Sequence, residues 1–129
     1  MQVPFVNPGL QYQKLKNEIL SKFDEISSKG EYVLGNEVTK FEKNFADYCG
    51  TSHAIGVGNG SDALFFSLLA LDISEGDEVI TVPNSFVSTA WAIANVGAKV
   101  VFVDVGDDFN INTNLIINAI SPKTKAILP

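Results

Sequence analysis

The sequence has no arginine: its nine basic residues are all lysines, set against 15 aspartates and glutamates, for a formal net charge of -6. Gripping a nucleic-acid backbone takes clustered positive charge, so nucleic acid is not an expected partner. A single cysteine, Cys49, excludes an internal disulfide and reads as a small core hydrophobe rather than a nucleophile. No apolar run approaches the length of a membrane span, and the start, Met1-Gln2-Val3-Pro4-Phe5, lacks the basic and apolar regions of a secretory signal. A cytoplasmic protein with no membrane partner is the expectation. His53 and Trp91 are also single, and no spacing pairs either with a catalytic or metal-binding neighbour, so both read as structural. Internal repeats and low-complexity stretches are absent.

What is present is a globular composition, 46% hydrophobic and 19% charged over 129 residues, enough for one domain that buries roughly two thirds of its surface. The chain is organised around Gly58-Asn59-Gly60-Ser61-Asp62-Ala63-Leu64. The apolar run His53–Val57 before it reads as a buried strand, and the apolar segment Leu64–Leu71 after it reads as a helix. Between them, glycines let the backbone approach a ligand, and the first helical amides are unpaired donors at the positive end of the helix dipole. Such a turn suits an anion, above all a phosphate. Ser61 can cap the helix or offer its hydroxyl, and Asp62 suits the dipole if its carboxylate points away from the anion. The bland reading is a glycine turn kept for tight packing alone.

Residues 1–9, with Pro4 and Pro8, read as an extended arm. Leu15, Ile19, Phe23 and Ile26 recur at helical spacing within residues 10–28, and Gly30 stops that helix. Residues 30–35 read as a short irregular or extended link. Asn36 starts a second helix, with Val38, Phe41, Phe45 and Tyr48 on one face, which ends at Gly50. Beyond the glycine turn, residues 78–82, 99–104 and 125–128 read as strands, and helices over 86–95 and 114–120 separate them. The resulting β-α-β-α-β-α-β order, with nearly all-apolar strands, implies a three-layer α-β-α architecture around a mostly parallel sheet. Ligands in such sheets bind at the carboxyl edge, where the turns at 58–61, 83–86 and 104–107 belong. The chain stops at Pro129 on an apolar strand with nothing to cover it, which suggests a fragment.

The turn also matches G-x-G-x-x-A, the dinucleotide fingerprint. That motif needs an acid at the carboxyl end of the next strand, whereas Asp77 and Glu78 lie at its amino end. Phe86, just past the second strand, places an aromatic beside the phosphate turn and suits a phosphorylated heteroaromatic ligand; a core phenylalanine is the bland alternative. Asp104 ends a strand at the same edge, where aspartates before glycine turns commonly act as caps. Asn59-Gly60-Ser61 spells a glycosylation acceptor, read as chance without a secretory signal.

At these residues the chain resembles the DegT-type sugar aminotransferases. The motifs are Tyr32-Val33-Leu34-Gly35, the run from Phe41 to Gly50, and His53-Ala54-Ile55-Gly56-Val57 continued by Asn59-Gly60-Ser61-Asp62-Ala63-Leu64. Gly76–Thr81, Phe86-Val87-Ser88-Thr89 and Thr124–Pro129 follow in order, so the resemblance covers essentially the whole chain. It implies the amino-terminal part of the large domain of a fold-type I transferase that uses pyridoxal 5'-phosphate (PLP). The reaction implied moves an amino group, usually from L-glutamate, to a nucleotide-linked keto-sugar for a surface polysaccharide or a glycosylated metabolite. Residues 1–52 would be an arm with two helices, and 53–129 the first part of the PLP-binding domain. The amides of Ser61 and Asp62, beside Gly60, and the Ser61 hydroxyl would hold the cofactor phosphate; Phe86 would stack on its ring, with Ser88 close by. Tyr32, Leu34 and Gly35 would line the sugar side. The family commonly works as a homodimer. Its Schiff-base lysine and its pyridinium-pairing aspartate lie downstream of Pro129, so this piece is expected to be inactive alone. A non-catalytic module binding a phosphorylated metabolite or nucleotide, and a dehydratase-like relative, remain the alternatives.

Overall fold

Pro8 opens the first helix, α1 (Pro8–Lys29), where its missing N–H costs nothing, and Asn7 Oδ1 caps it by accepting from the Leu10 amide at 3.0 Å. The expected extended arm therefore ends earlier than residue 9; its first three residues lie outside those described. The structure, a computed structural model, describes residues 4–129, which divide into two units, one ending at Gly56 and one spanning Val57–Pro129.

In the first unit, α1 ends at Gly30, whose φ of 68° is the left-handed cap geometry that glycine adopts without strain. After the irregular link, α2 (Asn36–Cys49) begins, and Gly50 caps it in the same way; Cys49, expected in the core, is exposed in its last turn. The aromatic face read from the spacing is real: the Phe41 and Phe45 rings stack 5.6 Å apart, and Tyr48 continues the row at 6.3 Å. Lys22 joins the two helices, reaching Glu25 at 2.7 Å and Glu37 at 3.4 Å. The stripe of Leu15, Ile19 and Phe23 stays exposed. In the link, Leu34 adopts a left-handed φ of 51° with its side chain in solvent.

The expected first strand is absent. Residues 53–57 pair with no strand among the described residues, and Ile55 is 81% exposed. An apolar run becomes a strand only when a partner edge takes up its backbone groups; here the Gly56 amide instead donates to Glu42 Oε1 at 2.7 Å.

The second unit contains α3 (Gly60–Ala70), β1 (Glu78–Thr81), α4 (Ser88–Asn95), β2 (Lys99–Phe102), α5 (Thr113–Ala119) and β3 (Thr124–Leu128). The sheet has three parallel strands in the order β2-β1-β3, not four. Central β1 is buried along its whole length, as its run of Val79, Ile80 and Thr81 requires. Val79 stands opposite Val100 and Ala126, and Ile80 opposite Val101 and Ile127. From β1 the chain steps one way to β2 and then back across to β3, so right-handed crossovers put α4 and α5 on opposite faces. One face of the sheet meets α3 and α4 in a core of Leu68, Ile73, Val79, Ala92, Ile93 and Ala98.

Candidate functional site

Two helix starts meet beside the carboxyl end of β1. The first is the start of α3, where Asn59 is the cap and Gly60, Ser61 and Asp62 form the first turn. The second is the start of α4, reached from β1 through Pro83–Val87. Packing of α3 on α4 brings Ser61 Oγ to 2.7 Å from Ser88 Oγ, across 27 residues of sequence. A pocket of about 410 Å³ opens there, lined by Asn59, Ser61, Asp62, Phe86, Val87, Ser88 and Trp91.

The donors are local in origin. Gly60 and Ser61 occupy the first two helical positions, whose amides have no acceptor within the helix. A Cβ placed on Gly60 would meet nothing within 4 Å, so the backbone faces open space at that point. Ser61 does not cap its helix: Asn59 Oδ1 accepts from the Asp62 amide at 3.0 Å, which frees the Ser61 hydroxyl for Ser88. Asp62 reaches the pocket with its amide committed to that cap. Its carboxylate accepts from Asn59 Nδ2 at 3.0 Å. Phe86 precedes α4 and its side chain is 76% exposed, which removes the core-phenylalanine reading. A helix dipole, unpaired amides, two hydroxyls and an exposed aromatic ring form a donor set for an anion attached to a flat apolar body.

Of the expected site residues, Ser61, Asp62, Phe86 and Ser88 therefore share one pocket wall, whereas Gly60 does not line it and sits in the chain between the lining residues Asn59 and Ser61. Tyr32, Leu34 and Gly35 belong to the first unit. There the Gly35 carbonyl accepts from the Val38 amide at 3.1 Å, and a Cβ on Gly35 would lie 2.8 Å from the Glu31 carbonyl oxygen. Trp91, read as structural, lines the pocket, as do Asn59 and Val87. The signal for Trp91 was its place one helical turn after Ser88. A second cavity of about 350 Å³, in the first unit, carries His53 among Thr39, Glu42, Lys43 and Asp47, without a phenylalanine, tyrosine or tryptophan and without a helix start.

No lysine lines the 410 Å³ pocket. Lys99 lies at the amino end of the sheet, 2.9 Å from Glu78 Oε1, while Glu78 Oε2 accepts from Ser121 Oγ at 2.6 Å. The Ser121 hydroxyl and then Lys99 hold the Glu78 carboxyl below the usual range, and these partners at the amino end of the strand keep it from gripping a ribose at the carboxyl edge. Asp104 accepts from the Val105 amide at 2.8 Å, in a local turn.

Comparison with known proteins bears on these features. The model of the DegT/DnrJ/EryC1/StrS aminotransferase family matches residues 13–129. A pleiotropic regulatory protein of Geobacillus stearothermophilus is 44% identical over all of this chain and 35% of its own length. A dTDP-3-amino-3,4,6-trideoxy-alpha-D-glucose transaminase of Micromonospora megalomicea is 39% identical over 93% of the chain and 32% of its own length. Among solved structures, S. venezuelae DesV in complex with a ketimine intermediate superposes with a TM-score of 0.94 at 37% identity, over 99% of this chain and 35% of that one. NtdA from Bacillus subtilis with bound cofactor PMP gives 0.91 at 34% identity, over 99% of this chain and 30% of that one. The chain thus spans about a third of the length of the relatives it matches.

Proposed function

The chain belongs to the DegT/DnrJ/EryC1/StrS aminotransferase family, and from that premise we propose that it is the amino-terminal portion of a PLP-dependent nucleotide-sugar aminotransferase. Two relatives named as a dTDP-amino-sugar transaminase and a UDP-2-acetamido-2-deoxy-3-oxo-D-glucuronate aminotransferase support a keto-sugar linked to a nucleotide as the acceptor. L-Glutamate is the proposed donor, and a homodimer in the cytoplasm the proposed working form. Residues 53–129 would begin the cofactor-binding domain, and residues 1–52 would supply the arm and two helices.

The observation that carries the reading is the meeting of the Ser61 and Ser88 hydroxyls at a helix start, beside the exposed Phe86 ring. These residues fit PLP, whose phosphate is an anion and whose body is a flat pyridine. When bound, that cofactor supplies the electron sink that lets an amino group leave one carbon and join another. The chain's own part is to hold and orient. Amides at Gly60 and Ser61 and the two hydroxyls would take the phosphate, and Phe86 would fix the plane of the ring. Tyr32, Leu34 and Gly35 would line the sugar side.

The test uses pyridoxamine phosphate, which has no aldehyde to react with the nine lysines, and reads binding by quenching of Trp91, the sole tryptophan. Saturable quenching that Ser61→Ala weakens several-fold is expected. Quenching by pyridoxamine without its phosphate as strong as with it, or none at all, overturns the reading. With no lysine on the pocket wall, the 129-residue chain is expected to give no turnover of glutamate with a keto-sugar nucleotide, and turnover in a coupled assay would refute that.

A further inference from the structure

Asn59 bonds Asp62 twice. Its Oδ1 accepts from the Asp62 amide at 3.0 Å, and its Nδ2 donates to Asp62 Oδ2, also at 3.0 Å. The first bond is an ordinary helix cap, which serine or threonine supplies about as well. The second acts on a charge. Asp62 is the only carboxylate among the residues lining the pocket, and it follows Ser61 directly at the third helical position. A carboxylate there is drawn to the free amides of its own first turn, the same donors that an anion would use. Left to turn, it would occupy those donors and repel a phosphate.

The bond from Asn59 holds the carboxylate elsewhere. A Cβ built on Gly58 would fall 2.6 Å from Asp62 Oδ2, so the carboxylate fills the space that a side chain at residue 58 would take. Gly58 is not among the glycines with positive φ, so its backbone does not demand glycine. Room for the carboxylate does.

We propose that Asn59 is a positioning residue of the phosphate site: it parks the Asp62 carboxylate against Gly58 and so leaves the Gly60 and Ser61 amides and the two hydroxyls open to an anion. The proposal rests on the site reading above, extended to a residue whose two carboxamide atoms are both engaged by Asp62. Asn59→Ser separates the two bonds, because a serine hydroxyl caps the helix but is shorter than the carboxamide and lacks the second polar atom, Nδ2, that holds the carboxylate.

The experiment titrates pyridoxamine phosphate into the 129-residue chain, its Asn59→Ser and Asp62→Asn variants and the double variant, with Trp91 quenching as the readout. Circular dichroism checks that helix content is retained, and Asn59→Thr stands in should Asn59→Ser lose it. Asn59→Ser is expected to weaken binding roughly three- to tenfold, the scale of one screened charge near a phosphate. Asp62→Asn keeps the backbone amide and should bind no more weakly than the unmodified chain, and the double variant should bind as Asp62→Asn does. A loss that persists in the double variant would reduce Asn59 to a structural cap, and binding by Asn59→Ser within twofold of the unmodified chain would remove its role; either overturns the proposal. Failure of the unmodified chain to bind overturns the site reading instead, a result that no Asn59 variant can mimic.

Discussion

Phe86 is the residue on which the proposed ring recognition turns. An aromatic side chain left 76% exposed buries apolar area only when something covers it. Phe86→Ala is expected to weaken pyridoxamine phosphate binding by about tenfold, from lost stacking and area, with Phe86→Trp restoring most of it. Equal affinities in the Trp91-quenching titration would show that the ring does not stack. Gly35 makes a different demand. Its φ of -77° is open to any residue, but a Cβ would sit 2.8 Å from the Glu31 carbonyl oxygen. Gly35→Ala should therefore destabilise the first unit by about 1–3 kcal/mol, the cost typical of overpacking, seen as an earlier urea transition.

Among the elements, α4 does the most. It buries Ala92 and Ile93 completely and packs against both the sheet and α3, and it carries Ser88 on its first turn. Ile93→Ala removes a buried branch from the core and is expected to cost about 2–5 kcal/mol in chemical denaturation. Because α3 and α4 are registered by that core, the variant should also weaken pyridoxamine phosphate binding although Ile93 does not line the pocket. A stability loss with unchanged affinity would mean that the Ser61–Ser88 contact is held by the loops alone. The apolar run at 53–57 shows the limit of reading an element from composition. Its hydrophobicity was plain, but no strand among the described residues pairs with it, and its Gly56 amide goes to Glu42 instead.

For the whole molecule, carboxyls held below their usual range contribute to the acid limb of stability. Lys22 and Lys29 bring Glu25 down to about 2, Lys40 lowers Glu37, Ser121 and Lys99 lower Glu78, and Asn110 lowers Asp108. The unfolded chain thus binds more protons than the folded one through the acid range. Stability from these groups is complete above the ordinary carboxylate range and is lost as pH falls through the folded-state values. A melting temperature that declines steadily below about pH 5 is expected. Glu78 ties β1 to β2 and to the turn before β3, so Glu78→Gln should flatten that decline more than Glu25→Gln, whose exposed pairs on α1 are screened. An identical pH profile for Glu78→Gln would exclude that clamp as a source of acid lability.

The sequence by itself determined the helices, their glycine stops at Gly30 and Gly50, the parallel α/β order from residue 78 onward and the glycine turn that opens α3. Each of these is written in a few consecutive residues, through periodicity, a missing Cβ or an unpaired amide. The tertiary structure decided which apolar runs became strands, that Asn59 rather than Ser61 caps α3, that Trp91 belongs to the pocket, and that Ser61 and Ser88 touch. Strand pairing and side-chain contact join segments tens of residues apart, and the choice among rival local hydrogen bonds at residues 58–62 depends on which groups the packing of α3 on α4 leaves available.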